Sequence, residues 1–219
     1  MSADDNRFDE VHLIEQPPLL YRLLFPEAIW RIRHRSRRTA YLTFDDGPIP
    51  EVTPEVLGIL RRYNVKATFF MVGDNVRRHP ELLAAVRADG HSVGNHTMHH
   101  LQGLHCNWRV YARDVFEADR LIGSDLFRPP HGLLKPHQMR VMNTHFNIIM
   151  YDVITRDYAR KLTADDVFEN VRRFTRPGSI IVFHDSLKSQ ERMLPALPRA
   201  IEWLLRHGYS LEALPENHR

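Results

Sequence analysis

Residues 41–48 read Tyr-Leu-Thr-Phe-Asp-Asp-Gly-Pro, so a short apolar run ends in two adjacent carboxylates, Asp45 and Asp46. Further along the chain, residues 96–100 read His-Thr-Met-His-His and place two imidazoles four positions apart. Side chains spaced by four residues can face the same cation, and paired carboxylates at the end of a buried strand are costly to desolvate. Together, the two segments predict a divalent-metal site with a second carboxylate beside it.

Apolar runs and helical patterns alternate along the chain after residue 40. The predicted strands are 41–44, 67–72, 92–94, a run that ends at Phe127, 148–153, 179–183 and 209–214. The predicted helices begin near Thr53, Pro80, Trp108, Pro136, Thr163 and Leu197. Strands that alternate with helices in this way are typical of a parallel α/β sheet, either open or closed into a barrel. The sequence has no visible linker or repeat, so a single main domain is predicted.

Unusual polar residues follow the predicted strands, each at the point where a strand ends. They are Asp45-Asp46, His96–His100, Arg128–Gly132, Asp157 and His184-Asp185. The carboxyl ends of parallel strands meet at one edge of the sheet, where the active sites of α/β proteins are built. We therefore expect these side chains to lie together in one active site.

The composition is that of an ordinary globular protein. The 219 residues are 43% hydrophobic and 26% charged, which excludes disorder, collagen and coiled coil as the main structure. The formal net charge of +3 is too small to indicate a nucleic-acid partner, although residues 31–38 contain five arginines. We interpret this arginine run as a solvated surface, with an anion-binding protein as the alternative. Cys106 is the only thiol, so no intrachain disulfide is possible.

The first 38 residues are predicted to form a segment of their own, ahead of a domain over residues 39–219. Residues 1–10 are acidic and lack the apolar core of a secretory signal. This absence favours a cytoplasmic location and leaves periplasmic or cell-surface association open. Residues 19–32 are the most apolar early stretch, but they are too short to span a bilayer. We predict a strap packed on the domain, with an interfacial membrane helix as the alternative.

Two imidazoles and one carboxylate form a hydrolytic metal site that keeps a coordination position open for water. His96, His100 and one of the two neighbouring carboxylates, Asp45 or Asp46, can supply that set. A metal lowers the pKa of the water, and the other carboxylate is then placed to accept its proton. Competing ligands in the same region are His99, His105 and Cys106.

Three residues at other strand ends can complete a hydrolytic centre. His184 can protonate a leaving group, and Asp157 can hold this imidazole in the useful tautomer and raise its pKa. Arg128 can orient the carboxylate that acts as the base. A base, a metal and an acid around one water predict hydrolysis of an amide or an ester.

These motifs resemble those of the polysaccharide deacetylases of carbohydrate esterase family 4, also called the NodB-homology domain. The likeness covers residues 39–214, and residues 43–48 are similar to the first motif of the family. The resemblance implies that Asp45 is the general base and that Asp46 is a metal ligand.

The second and third motifs carry the resemblance further along the chain. Residues 96–100 look like the family's His-Ser/Thr-x-x-His motif, which implies His96 and His100 as ligands in preference to the intervening His99. Residues 128–132 are similar to its Arg-x-Pro-x-Gly motif. This similarity implies that Arg128 orients the base and that the backbone N–H of His131 helps to hold the oxyanion.

The last two motifs imply the remaining site residues. Asp157 matches the carboxylate that tunes the catalytic imidazole, and His184 matches the general acid. Ile180 and Val182 are then expected to line a pocket for the acetyl methyl group. Tyr158 stands where the family usually has Trp, and we expect it to contact the substrate.

The resemblance implies a distorted, incomplete (β/α)7 barrel with parallel strands. It implies a metal-dependent hydrolase that removes acetyl groups from N-acetylated sugars of the GlcNAc type, with Zn²⁺ as the metal and Co²⁺ or Ni²⁺ as alternatives. Leu101, Ile154 and Tyr158 depart from the usual motifs, so the shape of the sugar groove, and with it the acetylated carbohydrate partner, stays open. The alternative functions are an O-acetyl esterase on xylan-like glycans and a catalytically silent metal- or glycan-binding domain.

Overall fold

The computed structural model describes residues 15–216 and shows an α/β fold in which strands and helices alternate. The strands are β1 (Thr39–Asp45), β2 (Thr68–Met71), β3 (Ser92–Asn95), β4 (Leu126–Phe127), β5 (Asn147–Ile148), β6 (Val153–Ile154), β7 (Ile180–His184) and β8 (Ser210–Leu211). The helices are α1 (Leu19–Leu24), α2 (Thr53–Arg62), α3 (Gly73–Arg78), α4 (Pro80–Ala88), α5 (Trp108–Ile122), α6 (Pro136–Asn143), α7 (Ala164–Phe174) and α8 (Gln190–Arg206).

Seven parallel strands form a curled half-barrel in the order β5-β4-β3-β2-β1-β7-β6, and β8 pairs with the start of β1. This arrangement confirms the predicted fold, a distorted and incomplete (β/α)7 barrel. β1 is central, since it pairs in parallel with β2 on one side and with β7 on the other. The last residues of β1 and β7, Asp45 and His184, lie opposite each other in this register. The fold therefore brings two of the predicted site residues to the same edge.

The prediction of one strand over residues 148–153 is wrong. Ile148 pairs with Phe127 in β4, whereas Val153 pairs with Ile181 in β7 at the other side of the half-barrel. The residues between them cross the opening of the half-barrel. An apolar run indicates burial but does not name its pairing partner, so the sequence alone did not separate the two short strands.

The last helix begins at Gln190 and not near Leu197 as predicted, and it contains Pro195 and Pro198. Proline has no backbone N–H and is disfavoured in a helix interior, which is why the sequence favoured a later start. The helix tolerates both prolines because its inner face, from Met193 onward, is buried in the main core.

Side chains of β1 alternate between two apolar clusters. Leu42 and Phe44 join the main core between the sheet and the helices, and Tyr41 points into the half-barrel. The inner cluster contains Tyr41, Phe70, Leu126, Ile149, Ile180 and Leu214. The polar side chains at the carboxyl edge therefore stand on a packed apolar floor.

Residues 15–30 lie across the gap between β5 and β6. The Ile154 N–H of β6 donates to the Glu15 carbonyl oxygen at 2.9 Å, and Ile29 exchanges two backbone hydrogen bonds of 2.8 Å with the chain at the end of β5. The division of the chain at residue 38 stays a prediction, and residues 1–14 and 217–219 lie outside the described part. Over residues 15–216, none of the helices has the length and apolar character needed to cross a bilayer.

Candidate active site

The polar strand ends surround one cavity of about 500 Å³ at the carboxyl edge of the sheet. The predicted catalytic and ligand side chains that line it are Asp45, Asp46, His96, His100, Arg128 and His184. Asp157 lies directly behind His184 and contacts its imidazole. Residues from five different loops thus meet in one place, as the parallel sheet predicts.

Asp46, His96 and His100 form a group that can hold a metal ion. One oxygen of Asp46 lies 3.2 Å from His100 Nε2 and 3.7 Å from His96 Nε2, and the three candidate ligand atoms lie within 4.8 Å of one another. Burial acts to raise the pKa of Asp46, but the hydrogen bond from His100 and the nearby imidazoles outweigh it and lower that pKa. The carboxylate is therefore ionised, as a metal ligand must be.

His96 is oriented from behind by the main chain. Its Nδ1 donates a hydrogen bond of 2.7 Å to the Arg128 carbonyl oxygen, which leaves the Nε2 lone pair facing Asp46. Burial lowers the pKa of His96 to about 4, so the imidazole is neutral near pH 7. A neutral imidazole with a fixed tautomer and an ionised carboxylate fit the donor set of a divalent-metal site.

The loop after β3 decides which histidines face the cavity. Asp114 on α5 accepts hydrogen bonds from the backbone N–H groups of Met98 and His99 and lies 2.6 Å from His99 Nδ1. His99 is therefore turned away from Asp46, and His100 takes the place beside it. The other competing candidates, His105 and Cys106, also lie outside this group.

Sequence reasoning missed Asp114. A signal was present, because Asp114 falls on the same helical face as Tyr111, Val115 and Ala118, all of them buried. A carboxylate on the apolar face of a helix is costly unless it has partners, so this position predicts a structural hydrogen-bond acceptor.

Arg128 holds Asp45 from inside the barrel. Its Nη1 donates to Asp45 Oδ1 at 2.6 Å and to Thr43 Oγ1 at 2.7 Å, and its Nη2 donates to the Met150 carbonyl oxygen at 3.0 Å. The guanidinium also stacks over Phe70 at 4.0 Å. Both partners of this ion pair are buried, so each depends on the other for charge compensation. The carboxylate of Asp45 is fixed in position and still lines the cavity.

His184 and Asp157 form the second buried pair. His184 Nδ1 lies 2.7 Å from one oxygen of Asp157, and the His184 backbone N–H donates to the other at 2.8 Å. Burial acts to lower the pKa of His184, but the charge and hydrogen bond of Asp157 outweigh it and raise the pKa to about 9. His184 therefore carries a proton at neutral pH and lines the cavity opposite the candidate ligands.

Asp185, which the sequence placed among the strand-end polar residues without a role of its own, shapes the loop that follows Asp45 and carries Asp46. It accepts hydrogen bonds from the Gly47 N–H at 3.1 Å and from Thr53 Oγ1 at 2.6 Å. A Cβ at position 47 would lie 2.1 Å from Asp185, so only glycine fits there. Burial, with the nearby charge of Asp46, raises the pKa of Asp185 to about 8, although its hydrogen bonds oppose this shift. Between these anchors, Asp46 takes a left-handed backbone conformation with φ 83°.

The predicted substrate-contact residues do not all reach the cavity. His131, Tyr158 and Val182 line it, and the ring of Tyr158 meets His184 edge-on at 5.1 Å. Ile180 does not line it, which corrects the prediction. Ile180 points to the same side of β7 as Val182 but lies two residues deeper, in the apolar floor of the half-barrel.

Val182 has different apolar neighbours from those predicted. It packs with Tyr151 and Ile154, and all three line the cavity. The rim also carries polar side chains that sequence reasoning did not single out, namely Gln102, Ser186 and Lys188. No sequence spacing predicts these residues, because the rim and the apolar wall are formed by three separate parts of the chain, at residue 102, at residues 151–154 and at residues 182–188.

The Asp45–Arg128 pair, the His184–Asp157 pair and three candidate metal ligands meet at one cavity of an α/β half-barrel, an arrangement that is typical of a hydrolase. The family model described as polysaccharide deacetylase matches residues 33–145. A chitooligosaccharide deacetylase from Sinorhizobium fredii is 35% identical over 198 residues, which cover 82% of this chain and 92% of the relative. The chain belongs to the polysaccharide deacetylase family.

Two further similarities extend this assignment. A peptidoglycan-N-acetylglucosamine deacetylase from Bacillus cereus is 29% identical over 195 residues, covering 85% of this chain and 91% of the relative. The crystal structure of a peptidoglycan N-acetylglucosamine deacetylase bound to 4-naphthalen-1-yl-N-oxidanyl-benzamide superposes with a TM-score of 0.83 at 28% identity, covering 91% of this chain and 95% of that one. The likeness thus extends over nearly the whole described fold.

Proposed function

We propose that this protein is a metal-dependent deacetylase that removes acetyl groups from N-acetylated sugars of the GlcNAc type and releases acetate. One observation carries the proposal. The Asp45–Arg128 pair and the His184–Asp157 pair face the same cavity as the three candidate metal ligands. The relatives named as chitooligosaccharide and peptidoglycan deacetylases support the same reaction and substrate class.

Asp46, His96 and His100 would hold the cation. When bound, a divalent cation supplies Lewis acidity, which acidifies water and polarises a carbonyl oxygen. Two imidazoles and one carboxylate suit Zn²⁺, and the same donors also accept Co²⁺ or Ni²⁺. We propose Zn²⁺ as the metal.

The two buried pairs, Asp45–Arg128 and His184–Asp157, carry out the proton transfers. Asp45 accepts a proton from the attacking water, and the hydrogen bond from Arg128 keeps its carboxylate aimed at the cavity. His184 donates its proton to the nitrogen of the departing amino sugar, because Asp157 keeps the imidazole charged until that step. The oxygen of the water ends in acetate, and the amine leaves with the proton of His184. The proton held by Asp45 then replaces the proton lost by His184, through solvent, which restores both groups.

The acetyl group and the sugar contact different parts of the cavity. The apolar wall of Val182, Ile154 and Tyr151 suits the acetyl methyl group. The backbone N–H of His131 is proposed to stabilise the oxyanion. The polar rim residues can bond to sugar hydroxyl groups, and we propose that they set the choice of glycan.

The test is acetate release from chito-oligosaccharides, peptidoglycan and acetylxylan, with the protein first stripped by a chelator and then supplied with Zn²⁺, Co²⁺ or Ni²⁺. We expect release from a substrate with N-acetyl groups that disappears on chelation and returns with metal. Release from acetylxylan alone would identify an O-acetyl esterase. Metal binding without release from any of the three would support the catalytically silent alternative.

A further inference from the structure

The turn that carries the proposed oxyanion donor has an unusual backbone. Residues 130–132 form a single turn of 3₁₀ helix, and both His131 (φ 59°) and Gly132 (φ 65°) take the left-handed conformation. This conformation is uncommon for a residue with a side chain, so His131 must be kept in it by contacts around the turn. The hydrogen bonds of the turn, 3.0 and 3.4 Å long, are donated by Gly132 and Leu133, and neither uses the His131 N–H. The direction of that N–H therefore depends on what holds the turn.

A side chain of the N-terminal segment holds this turn. The Tyr21 hydroxyl, on α1, donates a hydrogen bond to the Gly132 carbonyl oxygen. The ring of Tyr21 packs edge-on against Phe25 and Trp30, with ring centroids 5.2 and 5.6 Å away, and the Trp30 indole N–H donates to the Phe25 carbonyl oxygen at 3.1 Å. Burial raises the pKa of Tyr21, so the hydroxyl keeps the proton with which it bonds to Gly132. An aromatic cluster thus aims the hydroxyl at the turn.

The same cluster supports the neighbouring wall of the cavity. Gly132 and Tyr151 both line the cavity, and a Cβ at position 132 would lie 3.3 Å from the Tyr151 ring. Trp30 meets that ring edge-on, with the centroids 6.4 Å apart. β5 and β6 are the two ends of the seven-stranded order, and the N-terminal segment lies across the gap between them. Side chains of this segment therefore support the cavity at the open side of the half-barrel.

Helix α1 is itself anchored to the domain. Arg22, next to Tyr21 in the chain, forms a 2.8 Å ion pair with Asp152, which is buried and follows Tyr151. The leucines of α1 lie on its outer side and are exposed, whereas Tyr21 and Arg22 contact the domain. The hydrogen bond to Gly132 therefore connects the turn to an anchored helix.

We propose that Tyr21 is a positioning residue of the active site: its hydroxyl holds the turn at residues 130–132, and through the turn it aims the His131 N–H at the acetyl oxygen. This inference rests on the proposed deacetylase function, in which that oxygen gains negative charge as water attacks. An oxyanion donor acts over about 2.7–3.1 Å, so a displacement of about 1 Å forfeits much of the stabilisation. Tyr21 lies outside residues 33–145, which match the family model. The segment ahead of that match is thereby assigned a part in the reaction.

The test compares the wild type with Tyr21→Phe, which keeps the ring and removes the hydroxyl. Tyr63→Phe is the matched control, because it removes a hydroxyl that bonds at 2.7 Å to Glu202 on the surface. An oxyanion contact is stronger in the transition state than in the bound substrate, so its weakening lowers kcat and leaves KM unchanged. We expect kcat for acetate release to fall about tenfold or more in Tyr21→Phe and to stay at the wild-type level in Tyr63→Phe. Zn²⁺ affinity, measured by chelator competition, should be unchanged in both variants.

Amide hydrogen exchange of Gly132 and Leu133, measured by NMR without substrate, is the second readout. Both N–H groups bond within the turn, so their exchange should be faster in Tyr21→Phe and unchanged in Tyr63→Phe. Unchanged exchange in Tyr21→Phe overturns the proposal, and so does faster exchange with an unchanged kcat or with a raised KM alone.

The exchange readout also separates this proposal from the proposed function. If the wild type releases no acetate from any N-acetylated substrate, the proposed function fails. Faster exchange in Tyr21→Phe would then still support Tyr21 as the residue that holds the turn, and unchanged exchange would overturn that role as well.

Discussion

Asp45 and Asp46 are neighbours in the chain, but different residues hold their carboxylates. Asp45 pairs with Arg128 inside the barrel, and Asp46 faces His96 and His100. Because different residues hold the two carboxylates, the Asp45→Asn substitution should remove the proposed proton acceptor and leave the candidate metal ligands Asp46, His96 and His100 in place. We expect deacetylation to fall by about 10²–10⁴-fold while bound metal, measured by elemental analysis, stays stoichiometric.

The variant also leaves Arg128 without a compensating charge, so its melting temperature must be measured alongside. Activity assayed well below that temperature separates catalysis from stability. Near-normal turnover of Asp45→Asn would rule out this residue as the base.

His99 and His100 are adjacent in the chain, and substituting each in turn tests which of them is a metal ligand. His100 lies beside Asp46, whereas His99 contacts Asp114. We expect His100→Ala to weaken Zn²⁺ binding by orders of magnitude in a chelator competition and His99→Ala to change it little. The reverse order of affinities would mean that the loop presents the other imidazole to the metal.

The pH dependence of activity should depend on Asp157. Its charge raises the pKa of His184 to about 9, so the proton is present below that pH and is lost as pH rises through it. Asp157→Asn removes the charge and leaves the lowering effect of burial, so the alkaline limb of kcat/KM should move to lower pH. Tyr158→Phe, which keeps the ring contact with His184 and alters no charge, serves as the control. An unmoved alkaline limb in Asp157→Asn would assign that limb to another group.

The meeting of the candidate site residues at one cavity could be predicted from the sequence, because these residue types are few and fall at strand ends. The particular roles of Asp114 and Asp185 could not be predicted, because they lie in contacts with backbone N–H groups of loops distant in sequence. For Asp114, the sequence indicates only a buried acceptor on the apolar face of α5. Ile180 was assigned to the cavity together with Val182 from the resemblance of the last motif, and the two residues do share one face of β7. Periodicity gives the face of a strand but not the depth at which a side chain lies.

At the scale of elements, the loop between β1 and α2 follows Asp45, carries Asp46 and ends at Thr53, the first residue of α2. The Thr53 hydroxyl donates to Asp185 and accepts a hydrogen bond from the Ile49 N–H at 2.8 Å. These bonds hold the loop in which Asp46 takes its left-handed conformation, a strain of about 1–3 kcal/mol. The loop therefore connects Asp185, which follows β7, with the candidate metal ligand Asp46.

Thr53→Val keeps the shape of the side chain and removes both hydrogen bonds. We expect a loss of about 1–3 kcal/mol in the free energy of unfolding, because a buried N–H and a buried carboxylate lose a partner. We also expect weaker Zn²⁺ binding, measured by competition with a chelator. Thr53→Ser retains the hydroxyl and should restore both quantities. A purely structural role would lower the melting temperature and leave the metal affinity at the wild-type value.

The elements that the sequence predicted well have strong local patterns. β1, α5 and α7 combine apolar periodicity with clear ends, such as the Thr163 cap of α7 and Gly123 after α5. Helix α3 was missed because its six residues give too short a pattern, and it is held by bonds from Gly73 and Asp74 to the loop after β3. Short helices of this kind therefore form because of tertiary contacts, which the local sequence does not reveal.

At the scale of the whole molecule, Arg22 fastens residues 15–30 to the half-barrel through Asp152. Arg22→Met should loosen this segment and speed hydrogen exchange at the Ile154 amide, which donates to Glu15. Asp152 keeps Arg176 and Ser179 as partners, so the rest of the domain should keep its exchange protection. Leu20→Gln, on the outer side of α1, is the control and should leave exchange at Ile154 unchanged.

An open half-barrel has two bare sheet edges, and here the same short segment covers parts of both. Glu15 caps the outer side of β6, and Ile29 caps the outer side of β5. Uncovered strand edges are templates for pairing with other chains, and proteins that leave them open risk forming fibres or amorphous aggregates. The N-terminal segment therefore blocks part of both strand edges, and we expect its loosening to increase self-association in concentrated solution before it changes the cavity.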